Sequence, residues 1–485
     1  MKKGLIPPLL AVSISMLLLG VSMAAAQSSQ PPAVEYVGSD TCASCHSTEH
    51  AAWASTLHPR MIQDPRKAPT TTLDIGGATI VTNVIRANFA SFTRVITNSK
   101  LKYTAKDVVL TIGWRHTQRY IIRDPQTKRL VVAAGLWNVE SGQWQPAEAN
   151  VDWLKNCAGC HTTGYNPISE SYIEPGIGCE SCHGPGGEHV TNPTRDTIPV
   201  NKLEALDAAI CGQCHTRGTS PEVNGQQYPY PVNYIVGGAL TGKNFIPVQS
   251  TQLITDANWW PDGHARNYRQ QYLEWLTGAH AQALKTLQAS AQADDACLAC
   301  HSADAMIAQA SRAAGDTAPL TLTLKTARFG ITCQVCHSSH RPGSPPFDSL
   351  LRDDPDSLCV SCHNATANGA RPLLPPTEVH HPVQEMIEGK GAPGVAGAPS
   401  PHVTSVSRGS ICVSCHMPAT ANSAYIGDAA THNWKIIMPG KAAPGEADAC
   451  STCHSNLGAG ARPVSYTHLR AHETPEHLVC RLLLE

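Results

Sequence analysis

The sequence predicts a mainly α-helical fold with much irregular loop and one small antiparallel β insertion at about residues 70–150. Three observations predict it. A Cys-x-x-Cys-His motif recurs nine times and marks out short helical turns along the chain. The 485 residues include 37 glycines and 36 prolines, which keep helices short and their connections long. There are only five phenylalanines, so something other than side chains must supply much of the core.

The motifs say what that is. Their cysteine pairs are Cys42 and Cys45, Cys157 and Cys160, Cys179 and Cys182, Cys211 and Cys214, Cys297 and Cys300, Cys333 and Cys336, Cys359 and Cys362, Cys412 and Cys415, and Cys450 and Cys453. In each, two thiols can add to the vinyl groups of one haem, and the next residue supplies an axial nitrogen to iron. Those histidines are His46, His161, His183, His215, His301, His337, His363, His416 and His454. Zinc ribbons and redox disulfides also use paired cysteines, but neither needs a histidine after every second one. The chain therefore reads as a carrier of at least nine haem c groups, packed around stacked haems.

Taken in order, residues 1–26 have two lysines, an apolar stretch and Ala24-Ala25-Ala26, the layout of a secretory signal peptide. The apolar run is too short for a lasting membrane span, and no second one is long enough. Export to the periplasm or cell exterior is expected. Residues 27–69 hold the first haem motif. Residues 70–153 lack a motif but show strand-like runs at 78–85, 107–112, 119–123 and 129–136, with Asp124-Pro125 as a turn. Scaffolding is the expected role of this insertion. Residues 154–220 hold motifs two to four. Residues 221–290 hold a Pro/Tyr-rich loop and a helix over 269–289, whose apolar spacing lets His280 face an iron. Residues 291–463 hold motifs five to nine, with a Gly/Ala/Pro-rich loop at 389–401. From Val464 to Glu485, which includes the odd cysteine Cys480, the string resembles a translated sequencing adapter and is expected to be an artefact.

Closing nine irons on their second face needs nine more ligands. Outside the motifs and the tail there are eleven histidines. The sequence favours His58, His189, His280, His340, His380, His381, His402 and His432 as distal ligands, and His380 and His381, being adjacent, compete for one place. His50, His116 and His264 read equally well as surface or propionate-bonding residues. Met61, Met306, Met386 and Met438 could also close a haem, at a raised potential. The formal charge of −2 becomes more negative once propionates are added, so nothing suggests a nucleic-acid partner.

Val37-Gly38-Ser39-Asp40-Thr41-Cys42 with Trp53 and His58, the stretch Gly178-Cys179-Glu180-Ser181-Cys182-His183-Gly184-Pro185-Gly186, and Cys415-His416-Met417-Pro418 with His432 resemble the exported multihaem cytochromes related to the tetrahaem carriers of nitrifying bacteria. That superfamily includes ammonia-forming nitrite reductases and hydroxylamine oxidoreductases. The resemblance implies closely stacked haems, mostly bis-histidine ligation, and distal ligands at His58, His189 and His432.

Electron transfer is the leading functional expectation. The partners would be a quinol-oxidising complex on one side and a terminal reductase, outer-membrane conduit or mineral acceptor on the other. An alternative is an oxidoreductase acting on nitrite, hydroxylamine or tetrathionate at one open haem, with Arg115, His116, Arg119, Tyr120, His264, Arg266 and Tyr268 as pocket groups. All nine motifs end in histidine, whereas nitrite reductases of the family often end the catalytic motif in lysine. A third expectation is a subunit of an extracellular haem filament. An oligomer is compatible with each.

Overall fold

A computed structural model describes Met1 and residues 35–67, 69–75, 78–94, 103–201, 204–313, 321–340, 350–363, 410–423, 429–438 and 440–449. The ninth motif (Cys450, Cys453, His454), His380, His381, His402, residues 2–26 of the expected signal peptide, the expected 389–401 loop and the 464–485 tail lie outside the described residues. Helix accounts for 31% and strand for 15% of the described residues. The helices are short, as the glycine and proline content requires.

Nine strands matter for the site: β1 (Ile62–Gln63), β2 (Thr70–Ile75), β3 (Ala78–Asn83), β4 (Val108–Ile112), β5 (Thr117–Arg123), β6 (Leu130–Val132), β7 (Leu136–Asn138), β8 (Gln143–Gln145) and β9 (Val151–Asp152). β1, β4, β5, β6 and β9 are hydrogen-bonded in that order, β7 branches from β5, and β8 pairs with β7. β2 and β3 form a separate hairpin. Every pairing is antiparallel. The insertion thus contains the expected strands and four more, β2, β7, β8 and β9. Its turn after β5 is closed by the Asp124 carboxylate, which accepts from Gln126 N and Thr127 N at 2.8 Å each.

Alternation along β5 gives the sheet two buried faces. Tyr120 and Ile122 pack with Phe92, Tyr103, Trp137 and Trp144. Ile121, on the other face, packs with Ile62, Leu110, Val132, Trp153 and Ala158. Ala158 lies inside the second motif, so the sheet is the floor on which that motif sits. Phe89 and Phe92 are both in the first cluster, and the aromatic residues gather where the chain carries no haem motif.

The helix expected over 269–289 is two helices, Gln271–Thr277 and Ala279–Ala289. Gly278 is extended between them (ψ 162°), and with Arg269 at φ +63° the first helix starts two residues later than expected. The break turns the second helix so that His280 lies near its start.

The helix just ahead of motif two and the helices of motifs seven and eight start from side-chain caps. Asp152 accepts from Lys155 N ahead of motif two, Asp354 from Asp356 N and Ser357 N ahead of motif seven, and Ser410 from Val413 N ahead of motif eight. Such caps let a single helical turn form without a long nucleus.

Candidate haem centres

Four motif histidines face a second histidine from a distant segment. The ring centroids of His46 and His189 are 6.3 Å apart, those of His183 and His340 5.9 Å, those of His337 and His432 6.3 Å, and those of His280 and His363 6.0 Å. The first three pairs are stacked, with interplanar angles of 21°, 10° and 28°, and the fourth is crossed at 67°. Two metal–imidazole bonds of roughly 2 Å, with each ring centre roughly 1 Å beyond its nitrogen, place the centroids about 6 Å apart. The residues present fit an iron held between them.

The outer hydrogen bonds agree. Nδ1 of His183 faces Val200 O at 2.9 Å, Nδ1 of His416 faces Trp434 O at 3.0 Å, Nδ1 of His189 faces Thr194 O at 3.0 Å, and Nδ1 of His432 faces Ala430 O at 3.0 Å. A carbonyl can only accept, so each Nδ1 carries the proton and each Nε2 keeps the lone pair a metal needs. Burial, with His337 and His215 adding to it, pushes the pKa of His432 down to about 3. Burial, with Arg269 and His215, brings His161 to about 4, and burial with His215 and His337 does the same for His58. Neutral imidazoles are what ligation requires.

Of the described distal candidates, His189, His340, His432 and His280 thus meet motif histidines. His58 lies close to His215 and His337. His50 lies 3.9 Å from Asp40, His116 Nδ1 pairs with Glu140 at 2.6 Å, and His264 pairs with Asp262 at 2.8 Å.

The cysteines of different motifs also touch. Thiols of different motifs lie side by side: Cys42 with Cys179, Cys160 with Cys214, Cys211 with Cys333, Cys300 with Cys362 and Cys359 with Cys412. Gln213, inside motif four, donates to Ser181 O of motif three at 2.9 Å. Cys336 of motif six faces Cys359 and Cys362 of motif seven. Through these contacts the eight described motifs form one connected set, with branches at motifs four and seven.

Several positioning residues carried no sequence signal. Glu180, inside motif three and 2% exposed, accepts from Val37 N at 3.0 Å, Gly38 N at 2.8 Å and Gly186 N at 2.7 Å. It ties the segment entering motif one to the helix Gly187–Thr191 that carries His189. Asp356 joins motifs seven and eight by accepting from Ser410 Oγ at 2.5 Å, Ile411 N at 3.1 Å and Cys412 N at 3.1 Å. Against burial, those bonds hold its carboxyl below the usual range. Trp434, at φ +58°, sets its ring 4.3 Å from His280 and 5.9 Å from His432 while its carbonyl receives His416. One residue therefore touches imidazoles of three centres. Gly159 in motif two leaves room for the ring of Tyr230, which a Cβ there would meet at 2.2 Å.

Two family models match the chain, one described as cytochrome c3 over residues 277–364 and one as cytochrome c554 and c-prime over residues 136–184. No curated protein matches it. Among solved structures it is similar to the outer cell wall cytochrome OcwA, with 33% identity, a TM-score of 0.71, and coverage of 87% of this chain and 84% of that one. It also shares a fold with an undecahaem cytochrome from the S-layer of Carboxydothermus ferrireducens, at 22% identity and a TM-score of 0.55, covering 89% of this chain and 59% of that one.

Proposed function

We propose that this chain, a member of the multihaem c-type cytochrome family represented by the outer cell wall cytochrome OcwA, carries nine haems and conducts electrons outside the cytoplasm, between a membrane-side donor and an acceptor at the cell exterior. Electron transfer through c-type haems follows from the family; the count, the place and the partners are our reading. The observation that supports it best is the set of paired imidazoles at about 6 Å, each pair drawn from two segments.

A bound haem would supply one-electron exchange between ferric and ferrous iron. The chain's part is to hold, order and tune. Each cysteine pair would tether one group, and each histidine pair would close both faces of an iron, leaving no coordination position for a substrate. The carbonyls of Val200, Thr194, Ala430 and Trp434 fix the tautomer and tilt of four imidazoles. The cross-motif thiol contacts would bring the tethered edges of successive groups together. Arg269, beside His161 and fastened to Pro229 O at 2.9 Å, places a cation next to the second centre, where it favours the reduced state.

Cell-envelope placement is supported by the likeness to an outer cell wall cytochrome and by the fold shared with an S-layer cytochrome. Among the described residues, no helix is long and apolar enough to cross a membrane.

The test is haem quantitation with electron paramagnetic resonance on the oxidised mature protein. Nine haems per chain with low-spin iron indifferent to nitrite and hydroxylamine is the expected result. A high-spin signal of one haem that shifts when either is added would replace this reading with an enzyme acting on a small nitrogen compound.

A further inference from the structure

Away from the histidine pairs, three titratable side chains converge where the 256–266 loop meets the segment leading into the ninth motif. His264, 1% exposed, directs Nδ1 at Asp262 Oδ2 (2.8 Å) and at Glu446 Oε1 (3.9 Å), and the three candidate ligand atoms lie within 4.8 Å of one another. We propose that Asp262, His264 and Glu446 form a binding site for a divalent first-row transition ion such as zinc, separate from the haem centres.

Two observations beyond the clustering point to a ligand. Glu446 Oε1 is buried, on a side chain only 1% exposed, and no N–H reaches it; Oε2 accepts from Ala443 N at 2.8 Å, and the carboxyl lies against that of Asp262, so two acid groups face each other with no cation between them. A buried carboxylate oxygen without a donor is costly unless something positive meets it. Second, His264 Nε2 donates to Lys435 O at 3.2 Å, the outer bond that metal-ligating histidines make, which turns Nδ1 toward the carboxylates. Asp262 is steadied by His264 N, which donates to Oδ1 at 3.1 Å, and keeps 36% of its side chain open to solvent as an entry path.

The chemistry suits the ion. Two carboxylates neutralise a divalent cation inside a buried site, and the imidazole favours zinc or its neighbours over calcium or magnesium. Tetrahedral zinc with bonds of about 2 Å spaces its ligand atoms about 3.3 Å apart, so the Nδ1–Oδ2 contact opens slightly and the Nδ1–Oε1 contact closes slightly. On binding, the ion replaces the proton on Nδ1, which leaves to solvent. The site would fasten Glu446 to the 256–266 loop, four residues ahead of Cys450.

The experiment treats haem-loaded protein with EDTA, which leaves haem iron in place, adds zinc, and measures zinc per haem by mass spectrometry of the elements and affinity by calorimetry. One zinc per chain, weakened more than roughly 100-fold by Glu446→Gln and by Asp262→Asn, is the expected result, since outer-shell changes alone cost up to that much. Asp262 is partly exposed, and an unchanged haem spectrum in that variant certifies the fold. No stoichiometric zinc, or zinc retained in Asp262→Asn and Glu446→Gln alike, overturns the proposal.

Discussion

Replacing Glu180 by glutamine isolates the contact that joins the two halves of the first centre. The carboxylate takes three backbone N–H groups: Oε1 accepts from Gly186 and Val37, and Oε2 accepts from Gly38 at 2.8 Å. Glutamine keeps one acceptor oxygen. If that oxygen stays with Gly186, its amide nitrogen points a donor at the Gly38 donor, so one charge-assisted bond is lost and one N–H is left unmet. A charged bond contributes about 1.5–3 kcal/mol and a buried orphan costs about 1–3 kcal/mol. Val37 and Gly38 are only half-buried, so water recovers part, and about 3 kcal/mol is the expected net loss. That is roughly a 100-fold gain in local opening, since each 1.4 kcal/mol is tenfold. Amide hydrogen exchange at Gly38 and Gly186 should accelerate by about that factor, with exchange in the β insertion unchanged. Because the helix bearing His189 hangs from the same carboxylate, part of the first haem's iron should turn high-spin. Exchange within about threefold of the parent, with a fully low-spin spectrum, would mean that the Glu174–Ser39 contacts at 2.7 Å hold the segment by themselves and that the reasoning is wrong.

Three other outcomes are expected. Gly159→Ala should drive a methyl into the Tyr230 ring, costing about 1–3 kcal/mol and lowering haem occupancy of the second motif, checked by intact mass; full occupancy would mean the ring moves freely. Trp434→Leu should alter the paramagnetic signals and potentials of the centres built on His280 and His432, losing about 0.5–1.5 kcal/mol per ring contact, while the His416 centre stays as it is because only a backbone carbonyl serves it. The Asp356 carboxyl has a folded-state pKa below its unfolded value, so its stabilisation is complete above about pH 4 and is lost as pH falls through the folded value. Amides of Ile411 and Cys412 should therefore stay protected at pH 5 and lose protection progressively as pH falls below about 4.

How far these features could be read in advance differs by residue. The motif cysteines and histidines are local in sequence and were legible outright. Which histidine meets which motif was not, because His46 and His189, or His337 and His432, come together only through the tertiary path of the chain. The strands rich in valine and isoleucine announced themselves. β7 and β8, at three residues each, are too short for any period to show, and the threonine run of β2 lacks alternation. The single helix expected over 269–289 failed at Gly278, where an apolar stripe outweighed a breaker. His189 sits on a helix because Gly184 at φ +79° turns the chain and Glu180 captures Gly186. Glu180 and Gln213 were invisible because the variable positions inside a motif are usually passed over, yet here they fasten one motif to the next.

The five thiol contacts between different motifs carry a consequence for how such a protein is made. Sulfurs that touch in the folded chain would, as free thiols in an oxidising compartment, cross-link to each other and seal the wrong motifs together. The attachment machinery must therefore reach both cysteines of a motif while the chain is still extended, before Cys42 meets Cys179 or Cys211 meets Cys333. Maturation has a deadline set by folding, and a strain that exports the chain faster than it can load it should accumulate mispaired disulfides at these five pairs and not at random.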